Sequence, residues 1–258
     1  MKSHAIITIY KTCRLSSHFG FKSTLLLKTK KNKEMISTLN VIANNKNNCE
    51  DKFVLVERDP FVVGGIFDGC STGINSSWAS QTLSYLVQLG IQHDKDILSD
   101  EFILEMISQM SELSKSLNLT FAHFLSTCIL FTYNKESKVF KIRTFGDCYY
   151  YLNDIEYIVD QNNTPDYLGY YLNNPTLTSF LLKYPILSYS DVDRFIVASD
   201  GIEKINISQF LSPKHLDPLG ILFHPPSSSN YLQRMWNILK KEGYVVNDDL
   251  TIISYDTN

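Results

Sequence analysis

Arg194-Phe195-Ile196-Val197-Ala198-Ser199-Asp200-Gly201 is an apolar run that stops abruptly at an acidic turn. Five residues of that composition read as a buried strand, and Asp-Gly marks its end. The pattern recurs along the chain. Glu50-Asp51 precedes the run Lys52 to Glu57, Phe61 to Phe67 ends in Asp68-Gly69, and Asp248-Asp249 precedes Leu250 to Tyr255. Gly146-Asp147 lies between them in sequence, after Val139 to Phe145. Carboxylates at strand ends make poor core material, because buried unpaired charge is costly. They make sense as oxygen donors converging on hard divalent cations.

Outward from these turns, the spacing gives the rest of the architecture. Lys52 to Glu57 and Phe61 to Phe67 are joined at Arg58-Asp59-Pro60, a turn signal. Thr127 to Tyr133 pairs with Val139 to Phe145, and Tyr149 to Leu152 with Ile155 to Val159, each across a polar turn. Phe140, Ile142 and Thr144 alternate with Lys141 and Arg143, which are expected on a solvated face. Thr38 to Ala43 reads as one further strand. Asn75 to Leu89 and Asp100 to Leu117 read as helices. Ser99 caps the second, whose stripe is Phe102, Met106, Met110, Leu113 and Leu117, core rather than cofactor box. Asn230 to Glu242 is a last helix, stopped by Gly243. Asp160 to Ser190 reads as loops with little regular structure. Consecutive hairpins argue for antiparallel sheets, and the amphipathic helices need sheet faces to cover. The expected fold is therefore α/β of the α+β kind: a sandwich of two mainly antiparallel sheets with helices outside.

Composition narrows the classes of function. The chain has 258 residues, 44% hydrophobic and 20% charged, with a formal net charge of -3. That balance suits a soluble globular protein and offers no polyanion-binding surface, so nucleic acid is not an expected partner. No apolar stretch is long enough to span a bilayer, and no membrane partner is expected. Five scattered cysteines without a Cys-x-x-Cys pair fit a reducing compartment and neither a zinc site nor a disulfide framework. His93, His123, His215 and His224 lack metal-ligand spacing. Ser71 to Ser77 holds no Gly-x-Ser-x-Gly elbow for a nucleophile. Residues 1–37 form an N-terminal extension or hairpin, with Ile6 to Tyr10 and Ser23 to Leu27 as its two strands. Their charge pattern resembles a transit peptide, yet arginine is scarce, so a cytoplasmic location is expected over organellar targeting.

The order Lys46…Glu50-Asp51, Phe67-Asp68-Gly69, Phe145-Gly146-Asp147, Ala198-Ser199-Asp200-Gly201 and Asp248-Asp249-Leu250-Thr251 resembles the metal-dependent serine/threonine protein phosphatases of type 2C. The resemblance runs from about Thr38 to the C-terminus, a catalytic domain of residues 38–258. The most specific matches are Ala198 to Gly201 and the final Asp-Asp-Leu-Thr-Ile-Ile. It implies a four-layer α/β/β/α sandwich and two Mn²⁺ or Mg²⁺ ions, with a weaker third. Asp68 would bridge the pair, the Gly69 carbonyl would ligate one ion, and Asp200 and Asp248 the other. Glu50 and Asp51 would support the metals, partly through water, and Asp147 would belong to the third. Asp68, Asp200 and Asp248 are thus the implied catalytic groups. Lys46 stands where many members hold an arginine for the substrate phosphate. The implied reaction is hydrolysis of phosphoserine and phosphothreonine in phosphoprotein substrates by water held between the ions, without a phosphoenzyme.

Three residues depart from the family pattern. Cys70 follows Asp68-Gly69 where many members have histidine, Lys46 replaces arginine, and Cys148 replaces serine. The first two motivate an alternative, a catalytically weak or dead phosphatase-like module that binds or regulates. A hydrolase of small phosphoesters is a third reading, because substrate choice lives in loops such as Asp160 to Ser190. Substrate, partner kinase and oligomeric state are not legible.

Overall fold

The computed structural model describes residues 8–13, 34–161, 164–173, 180–207 and 216–257. Two antiparallel sheets lie face to face. One has five strands in the order β3 (Lys52–Arg58), β4 (Phe61–Phe67), β5 (Cys128–Asn134), β6 (Val139–Phe145) and β9 (Leu187–Tyr189). The other has six, in the order β1 (Thr8–Cys13), β8 (Ile155–Asp160), β7 (Cys148–Leu152), β10 (Arg194–Ala198), β13 (Leu250–Asp256) and β2 (Met35–Val41). A two-stranded ribbon, β11 (Ile205–Ile207) with β12 (Tyr244–Val246), lies apart from both.

The inner faces meet over an aromatic core. Phe195 is fully buried, with ring centroids of Phe140, Phe131, Tyr255 and Tyr133 at 4.9, 5.3, 5.3 and 5.4 Å. Those separations suit tilted and offset ring pairs, which add to simple burial. The Tyr133 hydroxyl donates to the Val192 carbonyl at 2.7 Å, so its one polar atom is satisfied. Tyr133→Phe is expected to cost about 1 kcal/mol in urea unfolding, the net worth of one buried hydrogen bond. An unchanged midpoint would show that bond to be idle.

Helices close the outer faces. α1 (Ser76–Gln92) and α2 (Asp100–Ser116) bury Leu83, Val87, Phe102, Met106 and Met110 against the five-stranded sheet. Ser99 caps α2 by accepting from the Phe102 amide at 3.1 Å, while Asp100 and Glu101 sit at the positive end of the helix dipole. α3 (Tyr231–Lys241) buries Leu232, Trp236 and Leu239 on the six-stranded sheet. Gly243 follows with φ +89°, the left-handed stop that glycine adopts freely. The layers run helix, sheet, sheet, helix, as expected.

Several expectations are corrected. Arg143 is not on a solvated face. It is 2% exposed, donates to the Leu98 and Tyr184 carbonyls at 2.7 and 2.9 Å, and pairs with Asp100 at 2.6 Å. Its face of β6 is covered by the start of α2 and the segment at Tyr184. Leu117 leaves the apolar stripe as the half-exposed C-cap of α2. The stretch Asp160 to Ser190 includes β9, which extends the five-stranded sheet against β6. β1 pairs with β8, whereas Ser23 to Leu27, expected as its hairpin partner, lies outside the described residues. β2 starts at Met35, three residues before the strand expected from Thr38.

Candidate metal centre at the ends of the two sheets

Strand register brings the acidic turns together. Lys52 pairs with Phe67, so Asp51 and Asp68 flank one another at the end of the β3–β4 hairpin. Ala198 pairs with Ile252, and the Ser199 amide donates to the Thr251 carbonyl at 3.0 Å, which sets Asp200 beside Asp248 and Asp249. Cys128 pairs with Phe145, so Gly146-Asp147, where the chain passes from one sheet to the other, lies beside Thr127. The Thr127 amide donates in turn to the Asp68 carbonyl at 2.8 Å. Both sheets therefore end at one place.

A cleft of about 100 Å³ opens there, lined by Asp68, Gly69, Cys70, Thr127, Asp147, Tyr167, Asp200 and Asp248 among others. The half-buried Asp68 stands between the fully buried Asp51 and the half-buried Asp200, close enough for their charges to act on it. Asp51 receives the Ser199 hydroxyl on Oδ2 at 2.8 Å. Its Oδ1, and Oδ1 of Asp200, are buried with no hydrogen-bond donor. Carboxylates in this state must hold protons or a cation. An all-oxygen donor set with two orphaned buried oxygens fits hard divalent ions such as Mn²⁺ and Mg²⁺.

The electrostatics agree. Burial pushes Asp51 and Asp147 up to about 6 from the ordinary 3.8. Burial, then the neighbouring charges of Asp51 and Asp200, raises Asp68 well above the carboxylate range, and burial raises Asp200. Raised values mean that the folded chain binds these protons more tightly than the unfolded chain. Their contribution favours folding below about pH 4 and is lost as pH rises through the folded values. For Asp51 alone that loss is roughly 3 kcal/mol. The metal-free protein is expected to melt higher at pH 5 than at pH 7.5, and Mn²⁺ at pH 7.5 to restore the difference. A metal-free melting temperature that climbs from pH 5 to pH 7.5 would contradict this.

The remaining sequence candidates stand just outside the cleft lining. The Lys46 ammonium is held by Glu50 at 2.6 Å, Asp248 at 2.8 Å and Asp249 at 3.5 Å. The lysine therefore sits inside the acidic set. Gly69 is not at a left-handed backbone position, so a sharp glycine turn is not its reason; it bridges to Ser126 across the sheet end. Gly201 has a steric role. A Cβ there would lie 1.9 Å from the Asp249 carbonyl oxygen, so glycine permits the two turns to touch.

Sequence reasoning missed three positioning residues. Asp249, 1% exposed, accepts the Ala43 amide at 2.7 Å and the Glu50 amide at 2.6 Å, tying the loop that carries Lys46 and Glu50 to the start of β13. Ser199 links Asp51 to the Thr251 amide, which donates to its hydroxyl at 2.9 Å. The Thr127 hydroxyl accepts the Asp68 amide at 3.0 Å. The Asp248-Asp249 doublet was the available signal for the first, since both members sit at a strand start. A different set, Glu34, Glu57 and Asp59, is exposed and has oxygens within 4.8 Å of one another. The Lys135 ammonium already occupies that group, at 2.9, 2.5 and 2.6 Å.

Solved structures share this arrangement of strands and helices. RsbX, crystallised with magnesium, superposes with TM-score 0.57 at 19% identity, covering 89% of this chain and 98% of its own. A bacterial serine phosphatase gives TM-score 0.60 at 14% identity, covering 86% and 98%. The PP2C phosphatase domain of SpoIIE, the cell fate determinant of Bacillus subtilis, gives 0.56 at 14%, covering 88% and 64%. The chain has the fold of the PP2C-type phosphatases. This agrees with the resemblance read from the sequence. No protein-family profile matches the chain, and no curated protein matches it. Within the PP2C-type fold of this chain, the acidic cleft lies where the two sheets end together. Among the described residues, no helix is long and apolar enough to cross a membrane. Cys49, Cys70, Cys128 and Cys148 are free thiols.

Proposed function

We propose that the protein is a metal-dependent phosphatase that hydrolyses phosphoserine and phosphothreonine in phosphoprotein substrates. The observation that carries the reading is the row Asp51, Asp68 and Asp200 at an acidic cleft, with one buried oxygen of Asp51 and one of Asp200 left without a hydrogen-bond partner. Asp68, the Gly69 carbonyl, Asp200 and Asp248 would hold two Mn²⁺ or Mg²⁺ ions, with Glu50 and Asp51 in support and Asp147 toward a weaker third. When bound, such ions supply positive charge to the phosphoryl oxygens and lower the pKa of water for in-line attack on phosphorus.

The chain's own residues do the positioning. Thr127 pins the backbone of Asp68 and Ser199 orients the carboxylate of Asp51, so the donor set is assembled before ligands arrive. Asp249 holds the loop of Lys46 and Glu50 over the same end of the sheets. Lys46 is the candidate cation for the substrate phosphate, and its pairing with Asp248 keeps it next to the cleft. No side chain is assigned to form a phosphoenzyme.

The test is hydrolysis of a phosphothreonine peptide with Mn²⁺ and then with excess chelator. The reading requires turnover that chelation stops and metal restores. Turnover indifferent to chelator would remove it.

One observation favours a second reading, a binding or regulatory module without turnover. Lys46 already places a positive charge against Glu50 and Asp248, compensating them without a metal. Calorimetric titration separates the two. The phosphatase reading expects Mn²⁺ uptake that Asp200→Asn weakens; a module expects none.

A further inference from the structure

We infer that the mouth of the acidic cleft carries an aromatic docking ridge that selects phosphosegments flanked by apolar or aromatic side chains. The inference rests on the phosphatase reading, because it names the kind of peptide that would present its phosphate there. Tyr167 lines the cleft, with its hydroxyl toward the Cys70 thiol. It introduces a 3-10 turn, Leu168–Tyr171, whose Tyr170 ring lies 5.7 Å from that of Tyr167. Tyr170 is 46% exposed and stands 5.8 Å from the ring of Phe121, itself 53% exposed, on the 3-10 turn Phe121–Phe124. Ile74, 49% exposed, joins the same turn through its backbone amide, which donates a hydrogen bond to the Ala122 carbonyl at 2.9 Å. A path of aromatic and aliphatic side chains thus runs from the cleft wall to open solvent, with Asp166 as a charge near Tyr170.

The ridge is held rigid from beneath. A Cβ on Gly169 would meet the Phe124 carbonyl oxygen at 2.5 Å, so glycine lets the two turns press together. Leu168 and Phe124 are buried below them. Exposed rings on a fixed support, continuous with a polar cleft, are a contact surface and not a by-product of folding. The occupant follows from that continuity. A phosphoresidue whose phosphate enters the cleft must lead its flanking chain past Tyr167. The rings that follow reward apolar burial, whereas a lysine neighbour gains at most a solvent-screened cation–π contact.

The test uses the Mn²⁺-loaded full chain and a double variant, Phe121→Ser with Tyr170→Ser. Both rings are half-exposed, so the variant should fold, which circular dichroism checks. Three phosphothreonine peptides differ only in having leucine and phenylalanine, glycine, or lysine beside the phosphoresidue. Binding is read by fluorescence anisotropy and turnover by phosphate release, with para-nitrophenyl phosphate as a substrate too small to reach the ridge. The parent protein should favour the apolar peptide over the glycine peptide by about tenfold. The variant should lose that preference through KM, with para-nitrophenyl phosphate turnover unchanged. Equal preference in parent and variant, or none in the parent, overturns the ridge. A parent dimer that the variant dissociates, with peptide preference intact, assigns the surface to a second copy and also overturns it. Selective binding of the apolar peptide without hydrolysis of any substrate leaves the ridge standing and removes the phosphatase reading.

Discussion

Asp68→Asn is expected to lower Mn²⁺-dependent hydrolysis of a phosphothreonine peptide by at least ~10³-fold and, at once, to raise the melting temperature of the metal-free protein. A loss of that size corresponds to about 4 kcal/mol in the barrier, in the range that metal catalysis supplies. The stability gain has the same origin. Asp68 is half-buried between Asp51 and Asp200, and near neutral pH its ionisation is opposed by desolvation and by both neighbours. Asparagine removes the charge, keeps the shape, and can donate its amide hydrogens to the two flanking carboxylates. A site that destabilises its own fold in order to bind ligands behaves in this way. Parent-like turnover in Asp68→Asn would contradict the catalytic half. A lower metal-free melting temperature would contradict the electrostatic half.

Asp249→Ala is expected to cost about 3–5 kcal/mol of stability, the range for breaking a buried charged network from one side. Its carboxylate is 1% exposed and serves the Ala43 and Glu50 amides and the Lys46 ammonium. Removal strands two amide donors, each costing about 1–3 kcal/mol if they stay buried without a partner. It also frees the loop that presents Lys46 and Glu50, so Mn²⁺ affinity should fall although Asp249 is not a proposed ligand. Urea unfolding measures the first effect and calorimetry the second. Asp249→Asn, which keeps one acceptor oxygen, should recover part of both. A cost below about 1 kcal/mol for the alanine variant would show that the loop holds its position by other contacts.

Hairpins were the most legible part of the fold. β3 with β4, β5 with β6 and β7 with β8 each join two apolar runs across a short polar turn, and local chemistry decides such pairings. The short strands β9, β11 and β12 were not legible. Three residues carry no periodicity, and their pairing depends on what the rest of the chain has already built. Arg143 shows a second limit. Alternation along β6 says which side chains share a face, but not whether solvent or a helix covers that face. The cleft was legible in its parts: Asp68, Asp147, Asp200 and Asp248 each end or begin a strand, and register brings them together. The supports were hidden, because Ser199, Thr127 and Asp249 act through backbone amides distant in sequence. Gly201 has a steric role that only the touching of two turns creates.

Anomalous diffraction at the manganese edge, from crystals grown with Mn²⁺, tests the central claim most directly. The account predicts two peaks about 3.5–4 Å apart beside the Asp68 carboxylate, one of them within bonding distance of Asp200 and Asp248. A cleft without manganese, or manganese found only at Glu34, Glu57 and Asp59, would contradict it.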